Sequence, residues 1–317
     1  LALRVGMVGQ IVLDTIHLHR GGVVEDLGGL TYSIMAMDSL MDSEDVIVPI
    51  TRVGQDAIER VRSALGRVTH LSWEGVIEDD RPNNRVDLRY KTPDYREERA
   101  SGGVAGLTED DLGPAETLDG LLINLVSGRE AGPSSLSGAC REASFPVHLD
   151  LHSYLVDYDR DGKHYMRRPE GWEGWLGICD TLQVNREEFF TIAGRRGEVF
   201  DIGEEVWEKC RSGRVTCLLV TVGERGSFAW YADKRGGTMR CYIPPMNSVE
   251  VVDPTGSGDV YGASFFLARL RGESIERSMI LARRMAGLNC TRSGTAGLNT
   301  WLRELEGDNR ESHSLHR

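Results

Sequence analysis

The chain has no apolar run of the ~18 residues that a membrane-spanning helix requires. Its N-terminus opens on a strand-like segment, without the basic and apolar leader of a secretory signal, so no signal peptide is expected. No Cys-x-x-Cys pair occurs. Six scattered cysteines (Cys140, Cys179, Cys210, Cys217, Cys241 and Cys290) give little support to structural zinc and fit a reduced, cytoplasmic chain. Basic residues are in deficit, 37 Lys and Arg against 49 Asp and Glu, for a net charge of −12. That balance argues against a general nucleic-acid or membrane-surface binder. It leaves ATP open, because a local anion hole can act within a negative field. No G-x-x-x-x-G-K-[ST] is present, which removes a Walker-type NTPase. No internal repeat or low-complexity linker divides the 317 residues. One large α/β domain over 1–306 is therefore expected, with a polar, disordered tail over 307–317. Composition is ordinary for a globular protein, with 40% hydrophobic and 27% charged residues.

The most informative stretch is Val251-Val252-Asp253-Pro254-Thr255-Gly256-Ser257-Gly258-Asp259. A β-type run (Val249, Val251, Val252) meets a Gly-rich turn, and the turn opens a helix. Val260, Ala263, Phe266, Leu267 and Leu270 mark that helix by their spacing. Small residues let the backbone N–H groups of Gly256, Ser257 and Gly258 converge on an anion, and the helix dipole favours negative charge there. Asp259 falls in the first helical turn, beside that anion hole. A carboxylate next to a phosphate cradle suggests a base for a hydroxyl that attacks phosphorus. Near a helix N-terminus it is expected to stay ionised and to be a weak base. The glycines Gly256, Gly258 and Gly262 do not have the G-x-G-x-x-G spacing of a dinucleotide-binding oxidoreductase.

Elsewhere apolar runs and helical patterns alternate. Strands are expected at Leu3–Leu13, Val46–Val53, Asn84–Tyr90, Leu121–Val126, Val147–Leu151, Thr181–Val184 and Val215–Val222. Phe228–Tyr231 and Arg240–Ile243 read as a hairpin. Helices are expected at Thr31–Met41, Ala57–Leu65, from Arg186, near Ser274–Cys290 and near Thr300–Glu306. Lys91–Gly103 reads as charged and turn-rich. Repeated β–α units argue for a doubly wound, mainly parallel sheet flanked by helices. His17 with His19, and His148 with Asp150 and His152, alternate so that a strand would put each set on one face. Ordinary surface or interface histidines are the simpler reading than a metal site.

The Gly-rich turn closely resembles the second signature of the ribokinase-like (pfkB) carbohydrate kinases, D-T-x-G-A-G-D-x-F-x-G-A, with Pro254, Ser257 and Tyr261 as mild changes. The resemblance extends along the chain. It implies an ATP-dependent kinase acting on a hydroxyl of a sugar, polyol or nucleoside, with Asp259 as base. Asp14, five positions after Gly9, would grip substrate hydroxyls. Gly28 and Gly29 match the family's di-glycine, which admits substrate to the backbone. Ser33 stands where the family often has a substrate-contacting Asn, and Val12 replaces another. Asn185-Arg186-Glu187-Glu188 resembles N-x-x-E, in which Asn185 and Glu188 would organise Mg2+ and phosphate through water. Thr221, Gly223 and Gly226 match T-x-G-x-x-G, where the nucleotide would lie against backbone. Asn289 would contact its base or ribose. Asp253 and Thr255 would help form a loop for a monovalent cation such as K+. Asp150-Leu151-His152-Ser153-Tyr154 departs from the family's D-x-N-x-R, since His152 and Tyr154 replace Asn and Arg. That departure keeps a catalytically silent ligand-binding or sensor protein as the alternative.

The resemblance also implies a β lid over the acceptor, from segments near 15–27 and 84–100. Only 14 positions separate Asp14 from Gly28. Two short strands with a turn at Gly21-Gly22 are expected there, an abbreviated lid that a second copy of the chain would complete as a homodimer. Arg85, Arg89, Arg96 and Arg99 would either serve an acidic or already phosphorylated acceptor or form a solvated strand face.

Overall fold

The computed structural model describes residues 2–305 other than 18–20, 93–94, 142, 161–163 and 247–249. The tail over 307–317, His19 and Val249 lie outside the described residues. In chain order the strands are β1 (Arg4–Val8), β2 (Ile11–His17), β3 (Val23–Gly29), β4 (Val46–Gly54), β5 (Val76–Asp79), β6 (Arg85–Thr92), β7 (Tyr95–Ser101) and β8 (Gly120–Asn124). There follow β9 (Val147–Asp150), β10 (Val156–Tyr158), β11 (His164–Met166), β12 (Thr181–Asn185), β13 (Cys217–Thr221), β14 (Ser227–Ala232) and β15 (Thr238–Ile243). The helices are α1 (Leu30–Leu40), α2 (Ile58–Leu65), α3 (Pro133–Arg141), α4 (Arg186–Ala193), α5 (Val199–Cys210), α6 (Ser257–Leu270) and α7 (Ile275–Asn289), with a last one over 298–305.

Nine strands form the central sheet in the order β15-β14-β13-β12-β9-β8-β1-β4-β5. The seven from β13 to β5 are parallel, and β14 and β15 add an antiparallel edge. Parallel strands covered on both faces need continuous apolar runs, as in β8, where every residue is buried. One face packs against α3, α4 and α5 and carries Trp172, Trp175 and Trp207. The other packs against α1, α2, α6, α7 and the last helix. This is the expected doubly wound, mainly parallel sheet.

The expected single strand at Leu3–Leu13 is two. The break falls at Gly9-Gln10, where the chain leaves the central sheet for the lid. A Cβ on Gly9 would sit 2.9 Å from Leu30 and 3.0 Å from the Asn124 carbonyl, so only glycine lets the chain turn out between them. The lid is a four-stranded sheet in the order β3-β2-β6-β7. Its first excursion is the expected pair of strands, with Gly21 and Gly22 both at positive φ. The strands run seven or eight residues, beyond the 15–27 and 84–100 segments, because β2 begins at the Gly9 break and β3 continues into α1. The Lys91–Gly103 stretch contains β7, a strand rather than a turn. Val251 and Val252 belong to no strand and are largely exposed. Their segment is tied to the end of α7 by Val252 and Asp253 N–H bonds to the Cys290 carbonyl.

Asp38 on α1 is wholly buried and pins the last helix. One of its oxygens accepts the Thr69 and His70 N–H groups and the His70 ring; the other accepts Asn299 Nδ2 and Arg303 Nη2. Asp38→Ala leaves the Thr69, His70 and Asn299 donors unpaired, while Arg303 Nη2 keeps its bond to the Asp38 carbonyl, and is expected to cost about 3 kcal/mol. Urea unfolding with an unchanged midpoint would contradict this.

Candidate active site

The C-terminal ends of the parallel strands and the N-terminus of α6 face the lid across a cleft of about 1030 Å³. This is where doubly wound sheets place ligands. α6 starts at Gly256, whose φ of 73° and ψ of 0° require left-handed backbone. A Cβ there would lie 2.3 Å from the Tyr32 ring. Within the turn, Thr255 N–H donates to Asp253 Oδ1 at 2.9 Å and Ser257 N–H to the Pro254 carbonyl at 3.1 Å. The Ser257 N–H is thus committed to closing the turn. Gly256 and Gly258, which also line the cleft, are left to supply the donors for an anion.

Asp259 lies three residues into α6, 7% exposed, and accepts a 2.5 Å hydrogen bond from Asn124 Nδ2 at the end of β8. Burial raises its pKa above the ordinary carboxylate value, against the charge of His152 and the Asn124 hydrogen bond. The weak base expected from the helix dipole is therefore a stronger one, because desolvation outweighs the dipole. Asp150 at the end of β9 is also buried. It accepts Gln183 Nε2 at 2.7 Å, and the same amide reaches the Gly258 carbonyl at 3.1 Å. Burial and the nearby Glu188 charge hold the Asp150 pKa well above its ordinary value. Asn185 and Glu188 form a capping box on α4. Asn185 Oδ1 accepts the Glu187 and Glu188 N–H groups, and Glu188 Oε2 accepts the Asn185 N–H at 2.7 Å. Burial pushes the Glu188 pKa up to about 7, opposed by the Asn185 N–H and reinforced by Asp259.

Across the cleft, Asp14 on β2 is 8% exposed. Its carboxylate lies over Gly28 of β3, where a Cβ would overlap Oδ2 at 2.0 Å. Gly29 has φ of 61° and lines the cleft; a Cβ there would meet the Gln10 carbonyl at 2.4 Å. Thr221 and Gly223 line the other end. Gly226 is set back: its carbonyl accepts the Val222 N–H, and a Cβ would strike the Ile243 carbonyl at 2.2 Å. It shapes the β13–β14 turn.

Three expected contacts sit behind the cleft wall. Ser33 is fully buried, with Oγ 3.4 Å from the Asp259 carbonyl and 3.4 Å from Asn124 Nδ2. Asn289 is 2% exposed and donates to the Thr255 carbonyl at 2.9 Å. Asp253 is 9% exposed and accepts Ser293 Oγ at 2.8 Å besides the Thr255 N–H. These residues brace the Gly-rich turn from beneath. Three of the lid arginines form a solvated face: Arg85 pairs with Asp56 and Arg89 with Asp87, Arg99 is exposed, and these three do not line the cleft. The Arg96 side chain lies outside the described residues. The His148–Asp150–His152 alternation breaks after Asp150, where β9 ends. His148 is fully buried against Phe265 and Phe266, so the three share no metal face.

Asn124, Gln183 and Tyr32 are site residues that sequence reasoning missed. Asn124 had a signal, as a polar residue at the end of the run Leu121-Leu122-Ile123. Gln183 had a weaker one, a polar residue between Leu182 and Val184.

The pfkB family carbohydrate kinase model matches residues 167–301. The chain is 33% identical over 94 residues to a nucleoside kinase of Methanocaldococcus jannaschii, covering 29% of this chain and 30% of that one. It is 31% identical over 113 residues to a ribokinase of Arabidopsis thaliana, 36% and 29% of the two chains. The matches thus span about 30% of the length of these curated relatives. Among solved structures, Arabidopsis thaliana ribokinase complexed with ribose and ATP superposes with a TM-score of 0.72 at 19% identity, covering 96% and 99% of the chains. A pyrophosphate-dependent kinase in the ribokinase family, complexed with a pyrophosphate analogue and myo-inositol, gives 0.71 at 17%, covering 93% and 97%. With the Gly-rich turn opening α6, Asp259 in its first turn and a four-stranded lid opposite, the chain has the fold of the ribokinases, and over residues 167–301 its sequence matches the pfkB family carbohydrate kinases.

Proposed function

We propose that the protein transfers the γ-phosphoryl group of ATP to a hydroxyl of a small sugar, polyol or nucleoside. The observation that carries this is one cleft with Asp259 and the N-terminus of α6 on one wall and Asp14 on the other. Asp14 holds acceptor hydroxyls, since a carboxylate accepts two hydrogen bonds. Asp259 takes the proton of the reacting hydroxyl. That oxygen bonds to phosphorus as the bond to the ADP oxygen breaks. The N–H groups of Gly256 and Gly258 stabilise charge on the phosphoryl oxygens. Thr221, Gly223 and the exposed Val251 and Val252 line the end that receives the nucleotide, the valines offering apolar contact to the base. Asn289 acts there only through the loop that it braces.

The residues fit magnesium held through water. No group of three or more His, Cys, Asp or Glu that could hold a metal directly occurs among the described residues. Magnesium keeps several waters and takes one or two carboxylates. Glu188 is a buried acid with a raised pKa, whose ionised form a dication would favour. Glu188→Gln is expected to raise the Mg2+ needed for half-maximal activity ~10-fold. An unchanged Mg2+ dependence would remove Glu188 from this role. Asp253 and Thr255 are proposed as oxygen donors for a monovalent cation behind the anion hole. Part of the same proposal is a second copy of the chain across the lid edge β3, where Val23 and Val24 are exposed. No helix among the described residues is long and apolar enough to cross a membrane; a cytoplasmic location remains part of the proposal.

The decisive experiment is ADP release with ribose, myo-inositol and adenosine as acceptors, repeated with pyrophosphate as donor. Turnover of one acceptor with ATP supports the reading. Acceptor binding without turnover by either donor would favour a silent ligand-binding protein.

A further inference from the structure

β9 ends at Asp150, and the chain leaves it through a short turn over His152–Leu155. His152 has φ of 38°, the only positive value at a non-glycine residue among the described residues. Such backbone costs a residue with a Cβ about 1–2 kcal/mol. Strain of this kind persists where neighbours hold it, and it gathers at functional sites. Here the neighbours are specific. His152 N–H donates to Asp150 Oδ1 at 3.3 Å, and Ser153 N–H to the Leu125 carbonyl at 3.0 Å. Gly128 lets the loop after β8 close on this turn, since a Cβ there would lie 2.5 Å from the Ser153 carbonyl.

The strained backbone brings an imidazole into the cleft wall beside Asp150 and Asp259. A charge on this ring would act on three buried carboxyls of separate elements: Asp150 on β9, Asp259 on α6 and Glu130 in the loop after β8. Nδ1 is 2.9 Å from Ser153 Oγ. With that nitrogen engaged, Nε2 is the ring's remaining hydrogen-bonding atom. The other basic residues lining the cleft, Arg186 and Arg225, belong to the nucleotide end and pair with Glu187 and Glu198. Tyr154 packs edge-on against Trp175 at 5.6 Å and does not line the cleft.

We propose that His152 is a catalytic residue whose Nε2–H donates to a non-bridging oxygen of the phosphoryl group as it passes to the acceptor. This rests on the kinase reading. The bonds made and broken are those already given. Asp259 takes the hydroxyl proton, and His152 keeps its own proton and acts only as a donor. The role accounts for a ring at a backbone position that Gly would fill with less strain. It also places a hydrogen-bond donor where Asp150 and Asp259 would otherwise repel a phosphoryl anion.

His152→Gly removes the ring and relaxes the backbone, so the variant is expected to fold as well as the parent. With ATP, Mg2+ and whichever of ribose, myo-inositol and adenosine the parent phosphorylates, kcat is expected to fall ~10²-fold, as for loss of one transition-state donor. The KM for ATP should change little, and free imidazole should restore part of kcat. Imidazole should not rescue His152→Asn, which leaves less room for it. Parental kcat in His152→Gly, or a loss that imidazole does not relieve, would overturn the role. If the parent turns over none of the three, the kinase reading fails on its own account, and a binding experiment still judges His152. Its ring proton resonance, identified by its absence in His152→Asn, is expected to move when the β,γ-imido analogue of ATP is added with Mg2+. A resonance that stays in place would overturn the contact.

Discussion

Asp259→Asn is expected to lower turnover ~10²–10⁴-fold while leaving the fold and the ATP affinity nearly intact, the scale of a positioned acid–base group. The side chains have the same shape, and Asn124 Nδ2 can still donate to the Asn oxygen in place of Asp259 Oδ1. What is lost is the negative charge that accepts the hydroxyl proton. The pH profile carries the signature. Asp259 acts when ionised, and burial raises its pKa, so activity falls as pH drops through a value above the ordinary carboxylate range. Asp150 and Glu188 are raised as well, and the limb belongs to the cluster that they form with Asp259. The variant's residual activity should lose that limb or shift it. A variant with parental turnover on the acceptor that the parent prefers would end the assignment.

The sheet was legible because burial on both faces demands uninterrupted apolar runs, and Leu121-Leu122-Ile123 and Leu218-Leu219-Val220 stand out on that ground alone. The Gly-rich turn was legible because Gly256 needs left-handed backbone and the residues after it keep helical spacing. The lid was harder. β7 reads Tyr-Arg-Glu-Glu-Arg-Ala-Ser, with no apolar alternation, because an edge strand in a small sheet is defined by its backbone pairing with β6. Val251 and Val252 misled in the opposite direction. Their β-branched side chains suit a strand, yet their segment is fastened to the end of α7 and leaves them exposed beside the cleft.

The candidate site divided in the same way. Asp14, Gly29, Gly256 and Asp259 line the cleft as their positions suggested. Ser33 and Asn289 do not, because a position in a motif does not say which side of a helix looks at solvent. Ser33 on α1 faces Asp259 from behind, and Asn289 on α7 faces the Thr255 carbonyl. Asn124 and Gln183 act on carboxylates far away in sequence, 135 and 33 positions from their partners. Such pairings are set by which strand ends meet, and that follows only from the sheet order.

Asp14→Ala is expected to reduce kcat/KM for the acceptor ~10²–10³-fold, mainly through KM, with the KM for ATP nearly unchanged. Hydrogen bonds to a charged group contribute ~1.5–3 kcal/mol each, and the carboxylate is proposed to accept two from acceptor hydroxyls. Its surroundings make the contact rigid. β2 pairs with β3 so that Val12 stands opposite Gly28 and Asp14 opposite Asp26. The Asp14 carboxylate then lies against the bare Cα of Gly28, in space that any side chain there would take. Gly28→Ala is therefore expected to reproduce much of the Asp14→Ala defect with Asp14 still present, by pushing the carboxylate aside. The two lesions should add little when combined, since both remove the same grip. An Asp14→Ala variant with the parental acceptor KM would place acceptor recognition elsewhere in the cleft. Defects from the two substitutions that simply multiply would show that Gly28 acts on something other than the Asp14 carboxylate.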